Sequence, residues 1–123
     1  MWILRLNMAD RTYSLGQVPA AYQNLGGRGM TSTIVYDEVP PLCHPLGPNN
    51  KLVFAPGIVT GTAAPSSARV SVGAKSPLTG GIKESNAGTS WAQHVASMRV
   101  KALVCVTSHR PGSPDLVCGR PPR

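Results

Sequence analysis

Between Leu52 and Gly88 the chain reads LVFAPGIVTGTAAPSSARVSVGAKSPLTGGIKESNAG, in which glycine-rich loops, a single arginine and an Asn-x-Gly step are packed around one short strand. Glycine has no side chain to keep a ligand away from the backbone. Arginine offers an always-charged planar fork of donors. Residue types in this arrangement suit the wall around a large anionic cofactor.

At 123 residues the chain has room for one domain, with a core that can be stable without covalent staples. The three cysteines, Cys43, Cys105 and Cys118, are odd in number and lack Cys-x-x-Cys spacing, which argues against a disulfide framework and against a metal site built by this chain alone. The net charge of +7 invites a nucleic-acid reading. Its distribution opposes one: residues 1–98 hold seven Lys and Arg against four acids, whereas residues 99–123 hold five against one. No apolar window is long enough to cross a bilayer, and MWILRLNMAD is too short and too interrupted for a signal peptide, so a cytoplasmic location is expected.

Alternation of Trp2, Leu4, Leu6 and Met8 with Ile3, Arg5 and Asn7 predicts a strand whose buried face carries the first set. Thr12–Leu15 returns as a hairpin arm, and Pro19 opens a short helix through Gln23 that Gly26 and Gly27 terminate. A helix over Met30–Val39 is stopped by Pro40 and Pro41. Strands are expected at Lys51–Ala55, Arg69–Ala74 and Lys101–Val106, with a turn at Ser76–Gly81 and a helix over Thr89–Met98. That order gives an α+β fold, with two or three short helices on a mixed or antiparallel sheet. Residues 1–104 are expected to be compact. The segment 105–123, which holds four prolines and no usable period, is expected to be a disordered tail.

Ser85–Gly88 precedes the last helix, where unpaired N–H groups attract anions. Asn86 and Gly88 are therefore candidate ligand residues, or simply a cap and a turn glycine. Arg69, at a loop–strand junction, suits a phosphate or an acceptor-rich ring, or is an ordinary solvated charge. GGRG lacks the full spacing of a dinucleotide fingerprint. Cys43 and His44 adjoin and do not complete a metal site, and Glu84 is expected to be solvated.

Several blocks in one register carry a resemblance: ILRLN at Ile3–Asn7, LGGRG at Leu25–Gly29, YDEVPP at Tyr36–Pro41, PLGPNNKLVFA at Pro45–Ala55, and the run to Gly88. Together they resemble the N-terminal portion of the tungsten-containing aldehyde ferredoxin oxidoreductase family. The resemblance implies an incomplete part of that family's N-terminal domain, which forms a base for a tungsten (or molybdenum) bis-pterin cofactor. By the same resemblance Asn86 and Gly88 contact the pterin, Arg69 lies between the pterin and the iron–sulfur cluster and donates hydrogen bonds to cofactor atoms, and the main-chain carbonyl of Asn86 helps hold magnesium. The complete enzymes oxidise an aldehyde to a carboxylate and pass electrons through a 4Fe-4S cluster to ferredoxin. Cluster ligands and acid–base residues belong to later domains, so this chain by itself is expected to be inactive.

There are two departures from the family pattern: Thr89 replaces a second glycine after Asn-x-Gly, and Met98–Arg99 replace an alanine–glycine turn. The change of character at Cys105 resembles a reading-frame shift. Two competing readings are a small basic module that binds nucleic acid through its tail, and a non-functional remnant of a disrupted enzyme gene.

Overall fold

The computed structural model describes residues 1–106 and shows the expected α+β class. Six strands, β1 (Trp2–Asn7), β2 (Thr12–Gln17), β3 (Lys51–Pro56), β4 (Arg69–Lys75), β5 (Ile82–Gly88) and β6 (Val100–Val106), form one sheet in the order β2-β1-β6-β3-β4-β5. β1 and β6 run parallel and every other pair is antiparallel, so the sheet is mixed. Two helices, α1 (Gly27–Glu38) and α2 (Ser90–Ser97), pack on it, and a single 3-10 turn lies at Ala20–Tyr22 behind Pro19.

The core lies between the sheet and α1. Met30, Ile34 and Val35 of α1 meet Ile3, Val53, Ala55, Ala102 and Val104 from the central strands. Alternation along β3 turns Phe54 to the other face, where its ring lies 5.8 Å from that of Trp91 in α2, edge to face. The two helices therefore cover opposite faces.

The phase of β1 is the reverse of the sequence expectation. Ile3 is buried, while Trp2 and Met8 are each about 40% exposed. The apolar α1 surface selects the Ile3 side, and Arg5 on that side reaches Glu38 at the end of α1 at 2.5 Å. The set Trp2, Leu4 and Leu6 faces away from α1.

The second difference is β5. Residues expected to form a loop leading into a helix instead make a full strand that pairs with β4 from Arg69↔Gly88 to Lys75↔Ile82. Asn86 is therefore no helix cap. Thr89 fills that role, its Oγ1 accepting from the Ala92 N–H at 3.2 Å. The last strand runs through Cys105 and Val106. The expectation of a disordered tail falls, for residues 107–123, outside the described residues.

Candidate functional site

β4 starts and β5 ends at one end of the sheet, and their register places Arg69 opposite Gly88, Ser71 opposite Asn86 and Gly73 opposite Glu84. Cross-strand partners share a face, which here is the α1 face. Arg69 Nη1 donates to Asn86 Oδ1 at 3.4 Å, and Asn86 Nδ2 donates to the buried Ser71 hydroxyl at 2.9 Å. The candidate residues Arg69, Asn86 and Gly88 thus lie together, and the strand missed in the sequence is what joins them.

The backbone of β5 is equally informative. At the two ends of the β4–β5 ladder, Thr89 N donates to Ala68 O at 3.0 Å and Ser76 N to Gly81 O at 2.7 Å. Both fix the same antiparallel phase, in which Val70 with Ala87 and Val72 with Ser85 exchange the ladder bonds. Main-chain groups of Glu84, Asn86 and Gly88 consequently point away from β4. Because β5 is an edge strand, the Asn86 carbonyl projects from the open side of the sheet.

The first turn of α1 stands over this pair. Gly26 is its N-cap and supplies no side-chain cap, so the leading N–H groups are left for other acceptors. Gly27 takes φ +52°, and a Cβ there would lie 3.5 Å from Ser71 Oγ. A Cβ on Gly26 would come within 2.8 Å of the Ile58 backbone nitrogen, so the loop after β3 can pass only over glycine. That loop is tied down in turn: Gly57 N donates to Arg69 O at 3.0 Å, and the Thr60 hydroxyl donates to Ser67 O at 2.5 Å. The GGRG block, set aside as a nucleotide fingerprint, is therefore part of the same site.

Glu84 corrects another expectation. Rather than being solvated, its side chain is only 8% exposed and accepts from Arg28 Nε at 3.0 Å. Its carboxyl is held below the usual range, chiefly by the neighbouring Ser71 hydroxyl; burial opposes this, and Arg28 and Asn86 add to it. Oε1 is buried without a hydrogen-bond partner among the described residues, an acceptor left over at the floor of the site. Beside the site, a cavity of about 180 Å³ opens between Gly26, Gly57, Ile58, Arg99 and Lys101.

Two departures from the family pattern find local roles. Thr89 is extended and caps α2, while Arg99 takes φ +59° in the turn before β6, a conformation usually left to glycine. His44 Nδ1 accepts from the Leu46 N–H at 3.2 Å within its own loop. Among the described residues no group of three or more His, Cys, Asp and Glu could hold a metal ion, and no helix is long and apolar enough to cross a membrane.

The site fits an anionic, acceptor-rich ligand that approaches along the end of the sheet. Arg69 and the uncapped α1 turn are donors, and the Glu84 carboxylate on the same face is paired with Arg28. Gly88 provides a specific test of fit. Neither its dihedral nor its packing calls for glycine, since an added Cβ would meet only Ala68 O at 3.7 Å, an ordinary contact.

Comparison with known proteins bears on the family and the fold. Residues 3–110 match the family described as aldehyde ferredoxin oxidoreductase, N-terminal domain. The tungsten-containing aldehyde ferredoxin oxidoreductase of Thermococcus kodakarensis is 47% identical over 64 residues, covering 52% of this chain and 11% of that protein. The enzyme of the same name from Pyrococcus horikoshii is 41% identical over 88 residues, covering 70% of this chain and 14% of its own. Among solved structures, the active-site complex BamBC of benzoyl coenzyme A reductase, in complex with 1,5-dienoyl-CoA, superposes with a TM-score of 0.81 at 27% identity, over 89% of this chain and 17% of that one. The chain thus spans roughly an eighth of the curated relatives it matches.

Proposed function

The chain belongs to the aldehyde ferredoxin oxidoreductase N-terminal domain family, and on that premise we propose that it forms part of the base holding a tungsten-pterin cofactor and its magnesium ion. One observation carries this reading. Arg69, Asn86 and Gly88 lie side by side at one end of the sheet, with an arginine donor and an open main-chain carbonyl available together. Arg69 would donate to acceptor atoms of the pterin, Gly88 would let it close onto the strand, and the Asn86 carbonyl would face the magnesium. When bound, the cofactor supplies two-electron chemistry on a substrate held by other domains. The residues of this chain bind and orient.

Substrate choice lies elsewhere. The same domain fold occurs in an enzyme of benzoyl coenzyme A reduction, so the fold by itself does not select a substrate. From the family and its curated relatives, an aldehyde substrate, a 4Fe-4S cluster and ferredoxin as acceptor are proposed for the complete enzyme, with an intracellular setting for its work. A nucleic-acid module is the weaker reading, because the family match spans residues 3–110 and Arg5, Lys51, Lys75 and Lys101 make hydrogen bonds within the fold, so they add no free basic face to the tail.

Gly88→Ala in a full-length enzyme carrying this domain tests the proposal. Stability is expected to stay within about 0.5 kcal/mol, since the site has room for a methyl group. Tungsten per folded subunit is expected to fall several-fold, and unchanged tungsten content would contradict the assignment.

A further inference from the structure

Glu84 is a buried acid that the proposed function leaves without a task. Its side chain is 8% exposed, whereas that of its partner Arg28 is 77% exposed. An arginine so open to water needs no carboxylate, and a pair with an exposed member adds little to stability, while taking an acid out of water costs free energy. The ion pair therefore does not account for the acid. Its other neighbours belong to the site: Ser71 foremost, with Arg28 and Asn86, are the side chains that lower its carboxyl.

The register explains this grouping. Ser71 stands opposite Asn86 and Gly73 opposite Glu84, so Ser71, Asn86 and Glu84 occupy adjoining positions on the α1 face. Gly73 makes the room: a Cβ there would meet Thr31 Cβ of α1 at 2.8 Å, so glycine lets α1 close down on this part of the sheet.

Donors and acceptors along the row can be counted. Asn86 Nδ2 donates to Ser71 Oγ at 2.9 Å, and Ser71 is fully buried, so the one hydrogen of its hydroxyl needs another acceptor. The spare acceptor beside it is Glu84 Oε1, buried and otherwise without a hydrogen-bond partner among the described residues. An ionised carboxylate only accepts, so the polarity runs one way. Glu84 takes the Ser71 hydrogen, Ser71 takes an Asn86 Nδ2 hydrogen, and Asn86 Oδ1 is left to accept from Arg69 Nη1 at 3.4 Å. The two ends of an amide have nearly the same shape, and the surrounding hydrogen bonds decide which way it turns. Turned over, Asn86 would set an NH2 group against the guanidinium, donor against donor.

We propose that Glu84 is a positioning residue: its carboxylate, acting through Ser71, fixes the Asn86 amide with Oδ1 toward Arg69, and so holds the guanidinium at the open end of the sheet. The orientation is a property of this chain by itself; its use in cofactor binding rests on the function proposed above.

Nuclear magnetic resonance of the isotope-labelled full chain tests the orientation. The wild type is expected to show a nuclear Overhauser contact between the Asn86 Nδ2 protons and the Ser71 Hβ protons. In Glu84→Gln, whose amide can offer Ser71 a donor, that contact is expected to fall about twofold as Asn86 samples both orientations, and exchange of the Nδ2 protons with water to quicken roughly fivefold. Arg28→Ala breaks the same ion pair but keeps the carboxylate, so there the Asn86 signals are expected to match the wild type. Unchanged Asn86 signals in Glu84→Gln overturn the proposal, as does an equal change in Arg28→Ala, which would make Glu84 a structural partner of Arg28. If Glu84→Gln fails to fold, Ser71→Ala carries the same test: faster Nδ2 exchange is expected, and unchanged exchange overturns the proposal. In the full-length enzyme, tungsten per folded subunit is expected to fall several-fold in Glu84→Gln and to be retained in Arg28→Ala. A turned amide with full tungsten would uphold the positioning and contradict the cofactor reading instead.

Discussion

Where β3 begins, Glu38 accepts from Arg5 at 2.5 Å and from Lys51 at 2.8 Å, and Lys75 donates to the carbonyls of Pro41 and Cys43. At the opposite end, Arg69 has the side-chain Oδ1 of Asn86 at 3.4 Å as its partner, and the α1 turn above it is uncapped by any side chain. Both ends are polar and both lie on one sheet. At the first, each charge is satisfied within the fold, so its groups serve stability. The second leaves donors and an edge carbonyl facing outward, an arrangement that adds little to folding and suits a ligand.

Substitutions at the two ends should therefore separate stability from binding. The largest stability effect is expected at Gly26, where glycine is a packing requirement of the open end: Gly26→Val should cost about 3 kcal/mol, because its side chain would collide with the Ile58 backbone. A thermal melt checks this, and a loss under 1 kcal/mol would mean that the loop after β3 yields easily.

Glu38→Gln comes next. The pair is half-buried, between the small worth of surface pairs and the larger penalty of breaking buried ones, so about 1–2 kcal/mol is expected at neutral pH. Hydrogen bonding from Arg5, opposed by burial and aided by Lys51, depresses the Glu38 carboxyl to about 2. A depressed acid stabilises the fold above its unfolded pKa. The difference between wild type and Glu38→Gln should therefore be complete above about 4.5 and fade as pH falls toward about 2. A difference independent of pH would sever the link to that ion pair.

Thr89→Ala should cost about 1 kcal/mol through the lost cap on α2, measurable by urea denaturation. Smallest of all, Arg69→Ala should change stability by less than about 0.5 kcal/mol, as expected of an exposed charge. A cost near that of Glu38→Gln would erase the distinction between the two ends.

The elements with a buried face were legible in the sequence because burial imposes periodicity. α1 showed itself through Met30, Ile34 and Val35, and β3 and β6 through their apolar runs. β5 was not legible. As an edge strand with Lys83, Glu84, Ser85 and Asn86 in succession, it buries too little to alternate, and only the Ser76–Gly81 turn after β4 hinted at a hairpin. The reversed phase of β1 has a related cause, since both of its faces are partly apolar and packing of α1 decides between them. The site residues were named from the family resemblance, while their adjacency depended on β5. Arg28 and Glu84 gave no local signal, because their pairing spans 56 positions.

The most direct measurement sets the two ends against each other in the same full-length enzyme: tungsten and pterin content per folded subunit for Arg69→Ala and for Arg5→Ala. Loss of cofactor in Arg69→Ala, with a normal melt, alongside retained cofactor in Arg5→Ala, with a lowered melt, is the predicted result. Full occupancy in Arg69→Ala, or equal loss in both variants, would contradict the assignment of the open end to cofactor binding.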